Sequence, residues 1–200
     1  MYKHFFKRVI DIIGALVLLP FVLVVILIFA PIIWWTDKGP VFYNAKRVGK
    51  NFRIFKMFKL RSMYVNAPDI RNSDGSTFNS DKDPRVTPIG HFLRTTSLDE
   101  FPQFLNVLTG EMSLIGPRPI LPKDDYSEMQ VYLDDMMKIR PGVTGYNQAY
   151  FRNSISRLEK YQNDAYYARN VSFLMDFRII LKTISSVIMR QNINTNKELS

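Results

Sequence analysis

The stretch that decides the fold is IIGALVLLPFVLVVILIFAPII, residues 12–33. It holds no charged side chain, and as an α-helix its 22 residues would be about 33 Å long, which matches the hydrocarbon core of a bilayer. The run is too long for the apolar region of a secretory signal, and no small-residue cleavage site follows it. The sequence therefore predicts a membrane helix that is retained.

Basic residues flank this run on both sides. They are Lys3, Lys7 and Arg8 before it, and Lys38, Lys46, Arg47, Lys50, Arg53, Lys56, Lys59 and Arg61 after it. The positive-inside rule places both flanks in the cytoplasm, which a single spanning helix cannot satisfy. Pro20 lies near the middle, where its missing N–H and its ring disfavour a continuous helix. We expect a re-entrant helical hairpin over residues 1–36 that breaks at Pro20, with a proline-kinked spanning helix as the alternative.

The composition fits one globular domain attached to this segment. A hydrophobic content of 46% in 200 residues argues against disorder. The absence of cysteine excludes disulfides, thiolate metal sites and a cysteine nucleophile, and only two histidines are present. The net charge of +9 lies entirely in residues 1–68, whereas residues 69–200 are balanced. Because a nucleic-acid binder usually carries basic charge on its folded domain, we expect no nucleic-acid partner.

The remaining sequence predicts an α+β fold, a mainly helical catalytic domain over residues 37–190 with a small β-hairpin and a polar tail over 191–200. Apolar residues on both sides of Gly49-Lys50-Asn51 predict the hairpin. Residues 66–88 are dense in turn formers and predict a loop. Residues 173–189 are mostly apolar with three charges, which suits a core helix or an interfacial helix better than a spanning one.

The most informative stretch is RTTSLDEFPQFLNVLTG, residues 94–110. Its apolar residues share one helical face, Ser97 and Glu100 have the spacing of a capping box, and Gly110 is placed to end the helix. Pro102 is tolerated only near a helix start. The pattern predicts a helix with an acidic pair in its first turn or at its edge.

That pair is Asp99 and Glu100. The helix dipole favours acids at this position, so capping alone is one explanation, but it accounts for one carboxylate better than for two. Adjacent carboxylates repel each other unless a cation compensates, and Mg²⁺ commonly takes one or two carboxylates together with substrate phosphates. A diphosphate site is therefore chemically reasonable here.

Arginine residues accompany this pair in the sequence. Arg94 lies five positions before Asp99, and Gly116-Pro117-Arg118-Pro119 forms a rigid turn after the predicted helix. A second stiff turn, residues 140–145, has the sequence RPGVTG. Guanidinium groups bind phosphate through paired hydrogen bonds, and glycine-containing turns can present backbone N–H groups to an anion. Each turn alone is a weak signal, but together they favour phosphate binding.

Taken in order, these motifs resemble the small monotopic phosphoglycosyl transferases, the bacterial sugar transferase family that begins lipid-linked glycan assembly. The resemblance extends over residues 1–189 and looks like the minimal catalytic form. It rests on the proline-containing apolar segment, FKLRSM at 58–63, residues 94–106, the two arginine turns, DAYY at 164–167 and SFLMD at 172–176. Two positions differ from the family pattern: Leu19 precedes Pro20 where a serine is common, and Tyr146-Asn147-Gln148 replaces Trp-Ala-Gln or Leu-Ala-Gln.

The resemblance implies transfer of a phosphosugar from a UDP-sugar to polyprenyl (undecaprenyl) phosphate at the cytoplasmic face of the bacterial inner membrane, with release of UMP. It implies that Asp99 is the nucleophile of a covalent aspartyl-phosphosugar intermediate and that Glu100 is its partner acid, which either binds Mg²⁺ or orients the substrate. Asp99 and Glu100 are the candidate ligands of this Mg²⁺. The residues that we expect to bind substrate are Lys59, Arg61, Arg94, Arg118, Arg140, Thr144, Gln148, Arg152 and Asp176. Inner-membrane lipids, downstream glycosyltransferases and a second copy of the chain are further expected partners.

Two other functions remain open at this point. A membrane-anchored adaptor could bind anionic lipids through the basic N-terminal third, although this leaves the acidic pair unexplained. Another Mg²⁺-dependent phosphotransferase, such as a lipid phosphatase, would release inorganic phosphate instead of UMP.

Overall fold

The computed structural model describes residues 1–71, 78, 80, 82–122, 126–151 and 154–189. Three sequence predictions fall wholly or partly outside this set: the substrate-binding role of Arg152, the tail over 191–200 and part of the loop over 66–88.

The N-terminal segment is one long helix. A π-helical turn, Tyr2–Phe6, leads directly into helix α1, Lys7–Asp37. Because α1 passes through Pro20 without interruption, the predicted break into two helical arms is wrong. Proline removes a single helical hydrogen bond, and the fully buried Ala15 and Val22 hold the helix against the domain on both sides of it. Within the described residues, α1 is the one helix long and apolar enough to cross a membrane.

The rest of the described chain is mainly helical with two short strand pairs, which confirms the predicted α+β class. The helices are α2 Pro88–Thr96, α3 Gln103–Thr109, α4 Gln130–Met136, α5 Tyr146–Tyr150, α6 Arg157–Arg169 and α7 Phe173–Ile188. The strands are β1 Ala45–Val48, β2 Ile54–Met57, β3 Ser113–Ile115 and β4 Gly142–Thr144.

The strand pairs differ in direction. Strands β1 and β2 form the predicted antiparallel hairpin, with Ala45 opposite Met57 and Val48 opposite Ile54. Strands β3 and β4 form a parallel pair, with Ser113 opposite Gly142. The sequence did not indicate this second pair, because three-residue strands beside glycine- and proline-rich turns carry too little alternation to be recognised.

Helix α1 is part of the core of the domain. Ala15 packs with Phe55 of β2 and Val107 of α3. Near the other end of α1, Ile33 packs with Leu60 and with Leu93 of α2. The opposite side of α1 carries exposed apolar side chains, among them Ile13, Val17, Phe21, Leu23, Val24 and Leu27. The helix therefore joins the domain along one side and leaves an apolar surface on the other.

Helix α7 has the same two-sided character. Ile179 on its inner side is fully buried with Tyr167 of α6. Phe173, Phe177 and Leu181 follow one another at four-residue spacing and are all about half exposed. Helix α7 is therefore not a purely core helix, which would not leave an apolar stripe in solvent, and its interfacial placement stays a prediction.

Both ends of α1 are held to the domain by ion pairs, of which the first is buried and the second is partly buried. Near its start, Lys7 Nζ lies 2.7 Å from Asp176 Oδ2 of α7, and the two carboxylate oxygens of Asp176 also accept hydrogen bonds from Tyr2 and Tyr167 hydroxyls at 2.6 Å. At its end, both oxygens of Asp37 accept from the Arg61 guanidinium, at 2.5 and 2.6 Å. The two ends therefore meet the same domain.

The tie at the start of α1 can be tested by replacing Asp176 with Asn. Because this leaves the buried Lys7 ammonium without its counter-charge, we expect the free energy of unfolding to fall by about 3–5 kcal/mol. Denaturant unfolding in detergent would measure this change. Lys138→Ala is the matched control: its ion pair with Asp135 is equally short at 2.7 Å, but the lysine side chain is 65% exposed, so the loss should be under about 1 kcal/mol. Equal losses for the two variants would contradict the assignment.

Candidate active site

One lysine bridges the acidic pair. The ammonium of Lys59 lies 2.8 Å from Asp99 Oδ2 and 3.2 Å from Glu100 Oε1. The contact with Glu100 has hydrogen-bond geometry, whereas that with Asp99 is an ion pair whose angles are unfavourable for a hydrogen bond. Asp99 is 2% exposed, while the Glu100 side chain is 36% exposed. The cluster therefore combines one buried and one accessible carboxylate.

Backbone contacts bring Lys59 to this place. After β2 the chain continues past Phe58, and the N–H of Leu60 donates to the Asp99 carbonyl oxygen at 2.9 Å. Asn106 of α3 is fully buried; its Oδ1 accepts from Phe58 N at 2.8 Å and its Nδ2 donates to the Lys56 carbonyl at 2.8 Å. The Asn106 side chain thus pairs with the backbone at the end of β2, accepting from one N–H and donating to one carbonyl as a neighbouring strand would.

The acidic pair precedes α3 instead of lying within its first turn. Ser97 has a φ of 58° and ends α2, and its side chain makes no capping hydrogen bond. Asp99 and Glu100 lie in a short 3₁₀ turn that leads to Pro102. The predicted capping box is wrong because Ser97 is used for the turn between α2 and α3. The predicted stop at Gly110 is confirmed by its left-handed φ of 90°.

Burial and neighbouring charges set the titration of the cluster. Burial raises the pKa of the Asp99 carboxyl above its ordinary value and the like charge of Glu100 adds to this, while Lys59 and then Arg94 oppose it. Burial alone would lower the pKa of the Lys59 ammonium, but the two carboxylates outweigh it and raise that pKa. The lysine is therefore firmly cationic, and it is the main group that favours an ionised Asp99.

Arg94 contributes a second cation to the cluster. Its Nε donates to Ser62 Oγ at 2.9 Å, and its charge acts on both Asp99 and Glu100. Burial lowers the pKa of this guanidinium below its usual range. Since its Nη groups donate to none of the described residues, they are available to an anion beside the acidic pair.

The acidic pair can provide only part of the coordination of a Mg²⁺ ion. The described residues contain no group of three or more Asp, Glu or His side chains suited to a metal ion. Asp99 and Glu100 can supply one or two carboxylates, as Mg²⁺ commonly requires, if phosphate oxygens and water complete its coordination. Lys59 now makes the contacts between the two carboxylates, so a bound cation would have to share them with the ammonium.

Three of the predicted binding residues have other partners. The Arg61 guanidinium is 7% exposed and is held by Asp37 and by the Pro40, Met63 and Ile33 carbonyls. Asp176 is held by Lys7 and two tyrosines. Arg140 Nε donates to the Gly110 carbonyl at 2.7 Å, at the opposite end of α3 from Asp99. The structure therefore does not bring these three side chains to the acidic pair.

The two predicted arginine turns form one structure. Gly116 N donates to the Thr144 carbonyl at 3.0 Å, and Gly142 N donates to the Pro117 carbonyl at 2.9 Å. A Cβ on Gly116 would overlap the Arg140 carbonyl oxygen, and a Cβ on Gly142 would overlap Gly116 N. The turns thus require glycine because their backbones touch.

Within this junction Arg118 is exposed, while its own N–H is fixed by Asp164 Oδ2 at 3.0 Å. Two other predicted binding residues, Thr144 and Gln148, lie at the same junction of the two turns. Thr144 Oγ1 is 2.9 Å from Thr183 Oγ1 of α7. Gln148 Oε1 is buried without a hydrogen-bond partner. The predicted roles of Arg118, Thr144 and Gln148 in binding substrate stay predictions.

Sequence reasoning missed several residues that hold the site together, notably Asn106, Asn147, Asp164 and Lys7. Asn106 could have been noticed as an amide within an apolar helical run, since a buried polar side chain needs partners. The partners of Asp164 and Lys7 are 46 and 169 positions away in the chain, and no local pattern indicates such contacts.

Comparison with known proteins gives consistent results. The profile of the bacterial sugar transferase family matches residues 2–190. The chain is 39% identical over 94% of its length to the UDP-galactose-lipid carrier transferase of Erwinia amylovora. It is 34% identical over 94% of its length to the undecaprenyl-phosphate galactose phosphotransferase of Salmonella typhimurium. It is 35% identical over 92% of its length to the exopolysaccharide production protein ExoY of Rhizobium meliloti.

These relatives differ in length. The chain spans 41% of the Erwinia and Salmonella proteins and 85% of ExoY. The similarity therefore concerns less than half of the longer relatives and most of the shorter one.

The charge balance around Asp99 predicts opposite effects of two neutral variants. Lys59→Met should raise the pKa of Asp99 further because it removes the main opposing cation, and Glu100→Gln should lower it because it removes a like charge. Titration of the ¹³C-labelled aspartate carboxyl signals by NMR would measure both. A pKa that moves in the same direction in both variants, or in neither, would show that these side chains do not control Asp99.

Proposed function

The chain belongs to the bacterial sugar transferase family, and from that premise we propose that it transfers a phosphosugar from a UDP-sugar to undecaprenyl phosphate. The products are UMP and an undecaprenyl diphosphate sugar, which is the first membrane step in the assembly of a glycoconjugate. Relatives named for galactose and for N-acetylgalactosamine transfer make UDP-galactose and UDP-N-acetylgalactosamine the first donors to test.

The observation that carries this proposal is the Lys59–Asp99–Glu100 cluster, in which Asp99 is buried, with Arg94 beside it. A carboxylate that is removed from water is more reactive toward phosphorus, provided that it remains ionised. The Lys59 ammonium is the main charge that opposes the rise in the pKa of Asp99 caused by burial, and so favours its ionised form. An adaptor that only binds lipids would not need such an arrangement.

In the proposed reaction an Asp99 carboxylate oxygen attacks the β-phosphorus of the UDP-sugar. The bond between this phosphorus and the bridging oxygen breaks, and UMP leaves with that oxygen and the electron pair. The resulting acyl phosphosugar is attacked at the same phosphorus by a phosphate oxygen of undecaprenyl phosphate. The Asp99 carboxylate leaves, so the enzyme is regenerated without any net uptake of protons.

The cations near Asp99 neutralise charge during these steps. The Nη groups of Arg94 can bind non-bridging phosphate oxygens, and Lys59 can exchange a carboxylate contact for a phosphate one. We expect the exposed Arg118 guanidinium to contact the same diphosphate. Mg²⁺ held by Asp99, Glu100 and the phosphates would supply further compensation for charge developing on the leaving group.

The position of α1 supports attachment to one face of the membrane. Because Lys7 and Asp37 both contact the domain, a helix that crosses the bilayer would separate one of these contacts from the domain by a hydrocarbon core. We therefore propose a monotopic protein whose α1 lies along the cytoplasmic leaflet of the inner membrane, with both of its ends on the cytoplasmic side. There a lipid phosphate and a soluble nucleotide sugar can both reach Asp99.

The proposed function predicts a covalent intermediate on Asp99. With purified protein, Mg²⁺ and a panel of UDP-sugars but no lipid, intact-protein mass spectrometry should show the addition of one phosphosugar, and UMP should appear in equal amount. Adding undecaprenyl phosphate should start turnover. Asp99→Asn should abolish the mass increase and lower turnover by at least about 1000-fold, because the nucleophile is lost.

Controls separate this reaction from other chemistry. Asp135→Asn, a change to a partly exposed ion-paired aspartate, should leave both readouts unchanged, and chelation of divalent cations should stop UMP release. Release of inorganic phosphate instead of UMP would indicate a phosphatase. Turnover that survives Asp99→Asn would contradict the covalent route.

A further inference from the structure

We propose that Asp164 is a positioning residue, which holds Arg118 at the diphosphate site by binding the backbone of the Gly116–Pro119 turn. This inference rests on the proposed function, because it assumes that the exposed Arg118 guanidinium contacts the nucleotide sugar. It concerns a side chain of α6 that has no contact with Lys59, Asp99 or Glu100.

Asp164 has a complete and directed set of partners. It is 3% exposed, its Oδ2 accepts from Arg118 N at 3.0 Å, and its Oδ1 accepts from Asn147 Nδ2 at 2.7 Å. Each carboxylate oxygen therefore faces an N–H donor. The carboxylate connects α6 to α5 and to the turn that carries Arg118.

Asn147 makes this connection rigid. Its Nδ2 also donates to the Lys160 carbonyl at 2.7 Å, and its Oδ1 accepts from Asn163 Nδ2 at 3.1 Å. Both the oxygen and the NH₂ of this side-chain amide are thus committed, so Asn147 cannot rotate to offer Asp164 an acceptor. Because Arg118 N and Asn147 Nδ2 both donate, the side chain at position 164 must provide two acceptors, and an ionised carboxylate does so.

Arg118 contrasts with this rigid support. Its backbone is fixed by Asp164 and by the glycine junction, whereas its guanidinium has no hydrogen-bond or ion-pair partner among the described residues. A long cationic side chain on a fixed backbone is suited to an anionic ligand. A structural arginine would instead be bound through its guanidinium, as Arg61 is.

The cost of burying Asp164 also argues for a role beyond packing. It has no ion pair among the described residues, and the charges that face it are Arg118 and Lys160. Burial raises its pKa to about 7, although the hydrogen bonds from Arg118 and Asn147 oppose this. Protonation of either oxygen would place a donor against an N–H group, so the hold on the Arg118 turn should weaken as the pH falls through this value.

A double-mutant cycle tests the proposal by its kinetics. UMP formation in nanodiscs is measured for the wild-type protein, Asp164→Ala, Arg118→Ala and the double variant. Asp164→Ala should lower kcat/KM for the UDP-sugar by about tenfold when Arg118 is present and by less than about twofold when it is absent. Gln162→Ala, a change on the same helix in a side chain that bonds to Tyr132, should have no effect. Equal losses in both backgrounds would overturn the proposal.

The conservative variant Asp164→Asn separates charge from shape. Its amide oxygen can still accept from Arg118 N, but its NH₂ group would face Asn147 Nδ2. It should retain intermediate activity and lose the acid limb near pH 7 that we expect in the wild-type profile of kcat/KM. An unchanged acid limb in Asp164→Asn would assign that titration to another group and contradict the proposed role.

Hydrogen–deuterium exchange distinguishes this proposal from the proposed function. The Arg118 amide should exchange faster in Asp164→Ala and in Asp164→Asn than in Gln162→Ala, whether or not the protein transfers sugar. If the wild-type protein released no UMP with any donor, the proposed function would fail, and the exchange data alone would decide whether Asp164 holds the turn. Unchanged exchange at Arg118 would refute the positioning role even in an active enzyme.

Discussion

Two ion pairs at the ends of α1, one buried and one partly buried, determine how the rest of the molecule is arranged. Lys7 with Asp176 fixes the start of the helix, and Arg61 with Asp37 fixes its end. Charges buried in this way are retained only when they are paired and hydrogen-bonded, and each carboxylate here accepts from several donors. The helix between them must therefore lie along the domain, with one side in the core and the other left apolar and outward.

This arrangement links the membrane segment to the acidic cluster. Ala15 of α1 packs against Phe55 of β2 and Val107 of α3, and these two elements are also joined by Asn106. Lys59 follows β2 and Asp99 precedes α3, so the core beneath α1 sets their separation. The site is thus linked through this core to the apolar side of α1, as the proposed reaction between a soluble nucleotide and a lipid phosphate requires.

The sequence predicted those features whose signal is local. The apolar run, the hairpin around Gly49-Lys50-Asn51 and the stop at Gly110 each follow from neighbouring residues. The break at Pro20 failed because packing on both sides outweighs one lost hydrogen bond. The capping role of Ser97 failed because that residue turns the chain between two helices. The acidic pair was recognised, but Arg61, Arg140 and Asp176 were grouped with it by charge and motif alone, and only the folded chain shows that other groups hold them.

Topology gives the most direct test of the claim that both ends of α1 lie with the domain on one side of the membrane. The chain has no cysteine, so single cysteines can be placed at Phe5, at Lys38 and, as a reference on the domain, at Glu128, all of them exposed. A membrane-impermeant maleimide should label all three in inverted vesicles and none in intact spheroplasts. Labelling of Phe5→Cys or Lys38→Cys from outside intact spheroplasts, with Glu128→Cys still protected, would show a spanning helix and contradict the account.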